Sequence, residues 1–269
     1  MKKTGVKKKN WWIGLATNDL SDITGFVLRE FAYKETSKII EVFSKDLGRI
    51  SIIAKGALGK KSKTMGVTQR FVKASYSLYK SGKEFYGIKE ASLIKSYSKS
   101  NKNFDVILYK SAIADLLLRT LDQIQIETVY KLVDNTFEAF ETASSNQINI
   151  FLAFLLKYIS FSGFKPNLST CGICGKKIKS NDVFFSSSQA SLLCDEDKNL
   201  VRDRVFLTKE EFSYVKALLY TKSEDLENLR PPENYNKITR LIIDYTLERL
   251  EIKRFSSIEW VYKNANERN

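Results

Sequence analysis

The chain has 269 residues, enough for about two domains and for a buried core that needs no disulfide support. A hydrophobic content of 43% excludes disorder, three cysteines are too few to staple a secreted domain, and the absence of histidine excludes Ser-His-Asp and Cys-His nucleophile pairs, HExxH zinc sites and imidazole proton shuttles. The formal net charge of +13 points to a polyanionic partner.

Residues 1–21 read as a basic extension. Its Lys7-Lys8-Lys9 and the apolar residues after them imitate a signal peptide, but the apolar part is short and Asn18-Asp19 interrupts it. Residues 22–100 then read as strand after strand: Thr24–Tyr33, Ser37–Ser44, Arg49–Lys55, Phe71–Tyr79 and Phe85–Ile94. Asp46-Leu47-Gly48 and Ser81-Gly82 supply the turns, and a glycine- and lysine-rich loop runs from Gly56 to Gly66. Five short strands with no long helix between them predict a small closed barrel of the OB type.

After Asn103 the apolar period changes to about 3.6. Ile107 to Leu121 marks one helix, Val129 to Phe140 a second, and Ile148 to Ile159 a third that ends at Gly163 before Pro166. The stretch Ile148 to Phe164 is the most apolar in the chain; it carries Lys157, is short of the ~20 residues of a membrane span, and reads as a buried helix. A cysteine-bearing insert follows at about 168–200. Thr208-Lys209-Glu210-Glu211 reads as a capping box, and Lys237 to Ile252 as a last amphipathic helix. The expected class is α+β: a five-stranded OB-fold barrel, then a helical domain over 101–269 with a small zinc-knuckle-like module. The protein is expected in the cytoplasm.

The charge is one-sided. Residues 1–100 hold 21 of the 44 basic and 8 of the 31 acidic side chains, so they carry the whole +13 and the remainder of the chain is neutral. Such a field is the footprint of a nucleic-acid binder. The candidate binding residues are Arg29, Lys34, Lys38, Arg49, Lys55, Lys60, Lys61, Lys63, Arg70 and Lys73, each able to meet a phosphate and release counterions. Nine aromatic residues interleave them, from Phe26 to Tyr86; most belong in the core of so small a barrel, and none is assigned to base stacking. Gly56 to Ser62 lacks the spacing of a phosphate-binding loop.

Cys171, Cys174, Cys194 and Asp197 have the spacing C-x2-C-x19-C-x2-D. Two tight turns, each delivering two ligands, converge four donors on a structural zinc ion. Two alternatives stay open: a knuckle that has lost its metal, with the cysteines as small apolar residues, and a redox CxxC.

Gly25-Phe-Val-Leu-Arg29, Tyr33-Lys-Glu35, Lys38, Phe43 and Gly48 begin a pattern that continues through Ala54-Lys55-Gly56, Lys61-Ser62, Gln69 and Phe71 to Gly163-Phe164, the Cys171/Cys174 pair and Leu192-Leu193-Cys194. In this order the residues resemble the RecO family of bacterial recombination mediators over about residues 22–255. The resemblance implies an OB-fold that binds single- and double-stranded DNA and anneals complementary strands. It also implies partnership with RecR and with the acidic C-terminal tail of single-stranded DNA-binding protein, the three together loading RecA. Two departures stand out. Asp197 lies where family members with a zinc knuckle have a fourth cysteine, and residues 1–21 precede the usual family start. The expectation is a non-enzymatic DNA repair protein. The alternatives are an OB-fold RNA binder without catalytic activity and, with little support from so acid-poor a barrel, a metal-dependent nuclease.

Overall fold

A computed structural model describes residues 19–121, 125–180 and 182–267. Most of the expected 1–21 extension therefore lies outside the described residues. Strands β1 (Asp19–Tyr33), β2 (Ser37–Ser44), β3 (Gly48–Ala54), β4 (Lys73–Ser81) and β5 (Phe85–Lys95) close a barrel in the order β1-β2-β3-β5-β4. Only the β3–β5 seam is parallel, with Ser51 opposite Phe85. Alternation along the strands turns Ile23, Val27, Ile40, Val42, Ile50, Ile52, Tyr76 and Leu78 into one interior cluster. Val67, from a short 3₁₀ turn in the β3–β4 loop, joins it and accepts a hydrogen bond from Tyr76 Oη at 2.6 Å.

The barrel begins five residues earlier than the strand pattern predicts. Asp22 takes a left-handed conformation (φ 58°) and the β1–β4 register shifts between Leu20 and Ile23, so the period-2 pattern is broken just where the strand extends.

Helices α1 (Phe104–Thr120), α2 (Ile126–Thr142) and α3 (Gln147–Ile159) follow. Asn103 caps α1, its side chain accepting from the backbone N–H groups of Asp105 and Val106. In α3 every residue but Gln147, Ile148 and Lys157 is buried. Gln147–Phe164 is long and apolar enough to cross a membrane, but 56% of it is buried, and the α3 part is packed into the helical core. It ends in a wide turn over Ser160–Phe164, where Gly163 sits at φ 93°.

Two further elements depart from the expected pattern. The cysteine insert belongs to a four-stranded sheet, β6 (Asn167–Cys171), β7 (Val183–Ser186), β8 (Ser191–Leu193) and β9 (Arg204–Leu207), ordered β6-β8-β7-β9. Strands of three to five residues are too short to show a period. Beyond α4 (Lys209–Tyr220), which carries the expected Thr208/Glu211 capping box, α5 (Tyr235–Arg249) matches the helix expected over Lys237 to Ile252, and a further helix, α6 (Ser256–Glu267), follows it unannounced. Glu251, at φ 55°, ends α5 without the glycine or proline that would announce the break.

The barrel's outer wall packs on the helices through rings. Phe26, Phe43, Phe71 and Tyr97 meet Tyr130 and Phe137 of α2 with centroids 5.3–6.2 Å apart. Lys110 of α1 is enclosed here with no exposed surface. Its Nζ donates to Ser100 Oγ at 2.6 Å and Asn101 Oδ1 at 3.0 Å and stands 5.2 Å from the Phe137 centroid. Burial pushes its pKa down to about 8, against the pull of Glu141. A lysine whose folded pKa lies below its unfolded value costs stability throughout the range below the folded pKa, and the cost is relieved as pH rises from about 8 toward ~10.4. Lys110→Met keeps the length and removes the charge. It is expected to stabilise the protein by about 1–3 kcal/mol at neutral pH and to abolish the rise in stability between neutral and mildly alkaline pH. Denaturant titrations at the two pH values check this; a variant destabilised at neutral pH would show that the rings and hydroxyl repay the charge.

Candidate nucleic-acid interface and metal centre

The ten basic side chains singled out in the barrel divide into two groups. Five are engaged inside the fold. Arg29 donates to Asp115 of α1 at 2.9 Å, and Lys73 to both carboxylate oxygens of Asp134 of α2 at 2.8 Å. Arg49 bridges Glu41 at 2.9 Å and the Leu118 carbonyl at 3.1 Å, while Lys38 pairs with Glu30. Arg70 donates to the Leu28 carbonyl at 2.9 Å and lies over the Phe71 ring. Burial pulls its guanidinium pKa down, opposed by Asp115. Arg29, Arg49 and Lys73 clamp the barrel to the helices, whereas Lys38 and Arg70 bond mainly within the barrel; Arg29 and Arg49 keep 44% and 41% of their side-chain surface and still face solvent.

The other five, Lys34, Lys55, Lys60, Lys61 and Lys63, are exposed and make no ion pair among the described residues. They share one end of the barrel. Lys34 stands in the β1–β2 turn with a left-handed backbone (φ 56°), and Leu58 N–H donates to Thr36 O at 2.9 Å, tying the β3–β4 loop to that turn. Successive turns order the loop: Gly59 N–H to Gly56 O at 3.0 Å, then Ser62 N–H to Gly59 O at 2.9 Å. Gly56 (φ +69°) starts it where a side chain would be strained. The ordered loop thus projects three lysines beside two more, an arrangement whose charge and spacing can meet successive phosphates. Of the nine aromatic residues, Phe26, Phe43, Phe71 and Tyr76 are core, whereas Phe31 is 45% exposed.

The metal quartet assembles at the far end of the chain. Cys171 ends β6, and a turn closed by Gly175 N–H on Cys171 O (3.0 Å) delivers Cys174. Gly172 lies so close to β8 that a Cβ there would stand 2.8 Å from Ser191 Cβ. Cys194 follows β8, and Asp197 N–H on Cys194 O (3.2 Å) closes the second turn. The four donor atoms lie within 4.8 Å of one another. Cys174 and Cys194 sulfurs are 3.7 Å apart, and Asp197 Oδ2 accepts from Cys171 at 3.2 Å and from Cys194 at 3.1 Å.

All three cysteines are free thiols; a disulfide would need about 2.05 Å. Around a tetrahedral ion with Zn–S near 2.3 Å, sulfurs stand roughly 3.8 Å apart, close to the 3.7 Å between the Cys174 and Cys194 sulfurs. The four residues can hold a metal ion. Without one, the donating thiols of Cys174, Cys194 and Cys171 hold the Asp197 carboxyl below its usual range. The carboxylate in turn pushes the Cys174 thiol up to about 12 and raises that of Cys194. Burial works against the Cys171 thiolate, but backbone N–H groups of Cys174, Cys194 and Ile173 outweigh it and lower its pKa.

Two features escape the sequence pattern. The carboxylates that engage Arg29 and Lys73 lie 86 and 61 residues away, and only the fold brings them together. A groove of about 630 Å³ between α2, the end of α3 and the 3₁₀ turn after α4 collects Lys131, Lys157 and Lys222, together with Glu138 and Glu224, around Leu132, Ala139 and Phe161. Its lysines are spread over 92 positions of a neutral stretch, so no local charge run marks them.

Comparison with known proteins agrees with this architecture. A family model described as recombination protein O N terminal matches residues 20–97, and one described as recombination protein O C terminal matches 101–257. The chain is 29% identical over 239 residues to the DNA repair protein RecO of Caldanaerobacter subterraneus, covering 88% of this chain and 95% of that one. It is 27% identical over 242 residues to the DNA repair protein RecO of a Thermoanaerobacter species, covering 89% and 96%. Over 170 residues it is 31% identical to the DNA repair protein RecO of Clostridium novyi, covering 63% and 66%.

Proposed function

The chain belongs to the recombination protein O (RecO) family, and on that premise we propose that it is a DNA-binding, strand-annealing mediator of DNA repair. It acts in the cytoplasm with RecR to load RecA onto single strands coated by single-stranded DNA-binding protein. Nothing in this activity makes or breaks a covalent bond. The observation that carries it is the cluster of five exposed lysines, without an ion pair among the described residues, at one end of a closed OB-type barrel. Annealing requires the charge of two phosphate backbones to be screened together, and cations held in an ordered loop do that without closing around one strand. Lys38, opposite Ala54 where the loop begins, supports this end from within, whereas Arg49 faces solvent at the opposite, β2–β3 end of the barrel and Lys73 is held against α2.

The metal of the cysteine module is zinc, bound by Cys171, Cys174, Cys194 and Asp197 in a closed structural site. The α2–α3 groove suits the acidic tail of single-stranded DNA-binding protein. Its exposed Phe161 offers an apolar contact and Lys157 a cation whose pKa burial lowers; Lys131 and Lys222 are paired with Glu127 and Glu224, so the apolar contact supports this reading more than charge does.

Replacing Lys60, Lys61 and Lys63 together by Ala is expected to leave the melting temperature unchanged, because exposed loop charges contribute little to folding. Affinity for a random-sequence single strand should weaken, and its dependence on salt should flatten by up to about two units of slope, near 0.7 per lost contact on a single strand. Fluorescence titrations over a salt series measure both. An undiminished slope would remove the loop from the DNA path. Matched DNA and RNA strands in competition separate this reading from an OB-fold RNA binder, since preference for RNA would favour the latter.

A further inference from the structure

Lys177, Lys179, Lys209 and Lys216 converge on one open cleft of about 330 Å³ between the metal module and α4. Lys209 and Lys216 are seven residues apart and so share a helix face, with Ser213 between them. Lys177 and Lys179 reach the same cleft from the segment that follows Cys174, where Ile178 N–H donates to Ser169 O at 2.9 Å. Hydroxyls of Ser169, Ser180 and Ser213 complete the lining, and no carboxylate takes part in it. None of the four lysines makes an ion pair among the described residues, although neighbouring Lys176 and Lys198 do, with Glu196 and Asp195. The apolar residues at the floor are committed elsewhere: Leu168, Ile178 and Phe212 pack on the helical core, and Leu192 is buried in it.

We propose that this cleft is a second phosphate-backbone site, which holds a second DNA strand while the barrel loop holds the first. The inference rests on the strand-annealing reading and adds to it a place for the other strand. Residues 101–269 are neutral in sum, and that sum conceals a concentrated positive cleft. Four ammonium groups and the Ser180 and Ser213 hydroxyls can donate to the oxygens of consecutive phosphates, which carry one charge per nucleotide. An acidic peptide would need an apolar anchor as well, and the cleft exposes none comparable to Phe161. Because Lys177 and Lys179 follow Cys174 directly, the metal turn sets the position of half the cleft.

The test uses the full chain bound to an oligothymidine strand tethered to a surface, then challenged with a second, non-complementary labelled strand. The quadruple variant Lys177→Ala, Lys179→Ala, Lys209→Ala, Lys216→Ala is expected to bind the tethered strand within about two-fold of the parent. Capture of the second strand should fall about ten-fold at physiological salt, with its salt slope reduced by up to about three units. Annealing of complementary strands should slow in parallel. The four corresponding Lys→Arg changes should preserve capture. Lys209→Ala with Lys216→Ala, which leaves the metal turn intact, should lower capture about three-fold and decides the matter if the quadruple variant misfolds. Capture equal to the parent's in a folded variant overturns the proposal, and so does equal weakening of both strands, which would put the cleft on the first strand's path. A parent protein that binds no strand would bring down the functional reading itself, whereas a parent that binds and a variant that matches it would remove only the second site.

Discussion

Purified protein is expected to carry close to one zinc per chain, and Cys194→Ser to lose it. Cys194 holds the middle of the quartet, 3.7 Å from the Cys174 sulfur and 3.1 Å from Asp197 Oδ2. Its removal leaves two thiolates and one carboxylate, a set that no longer closes a tetrahedron. Strands β6 to β8 have three to five residues each, too little buried surface to hold a sheet alone, so metal binding and local folding are coupled here. Hydrogen exchange should accelerate over residues 167–207 while the barrel stays protected. Asp197→Cys should retain metal longer against a chelator, because a thiolate is a softer donor than a carboxylate. Metal analysis and a colorimetric release assay measure both effects. Protein that is metal-free yet fully stable would instead identify a knuckle that has lost its ion.

The metal quartet was legible in the sequence because its information is local: each turn spans four residues, and the spacing alone brings two donors together. The barrel was legible for a similar reason. Hairpin turns and period-2 runs placed β2 at Ser37–Ser44 as observed, and β5 to within one residue at its end. What stayed hidden depends on distant pairing. The sequence marks Arg29 and Lys73 as free cations for a phosphate, yet Asp115 and Asp134 arrive from helices that the barrel's own pattern does not mention. A linear count of charge likewise cannot separate Lys209 and Lys216, which face an open cleft, from Lys237, whose Nζ lies 2.7 Å from the buried Glu211 carboxylate. The module strands and α6 were missed because both are short, the strands three to five residues and α6 twelve at the end of the described chain, and neither leaves a clear periodic signal.

The same long-range pairing makes the joint between barrel and helices the most sensitive place in the molecule. Phe137 of α2 is fully buried there, with ring centroids 5.4 Å from Phe26, 5.6 Å from Tyr97 and 6.2 Å from Phe71. The barrel interior forms an apolar cluster of its own, whereas Phe26, Leu28, Phe43 and Phe71 on its outer wall belong to the helical core. Phe137→Ala should therefore act on the joint and leave the barrel interior filled. The expected cost is about 3–5 kcal/mol, from lost transfer energy and an incompletely collapsed cavity, a large share of a typical 5–15 kcal/mol total. For a chain of this size it lowers the melting temperature by on the order of 10 °C. Because two clusters then lose their strongest contact, the barrel and the helices should unfold as separate transitions by circular dichroism and hydrogen exchange. Phe161→Ala, at a site 47% exposed on the α2–α3 groove, should change stability by no more than about 0.5 kcal/mol. A Phe137→Ala protein within 1 kcal/mol of the parent, or one that still unfolds in a single step, would show that the polar clamps at Arg29 and Lys73, rather than the rings, hold the two parts together.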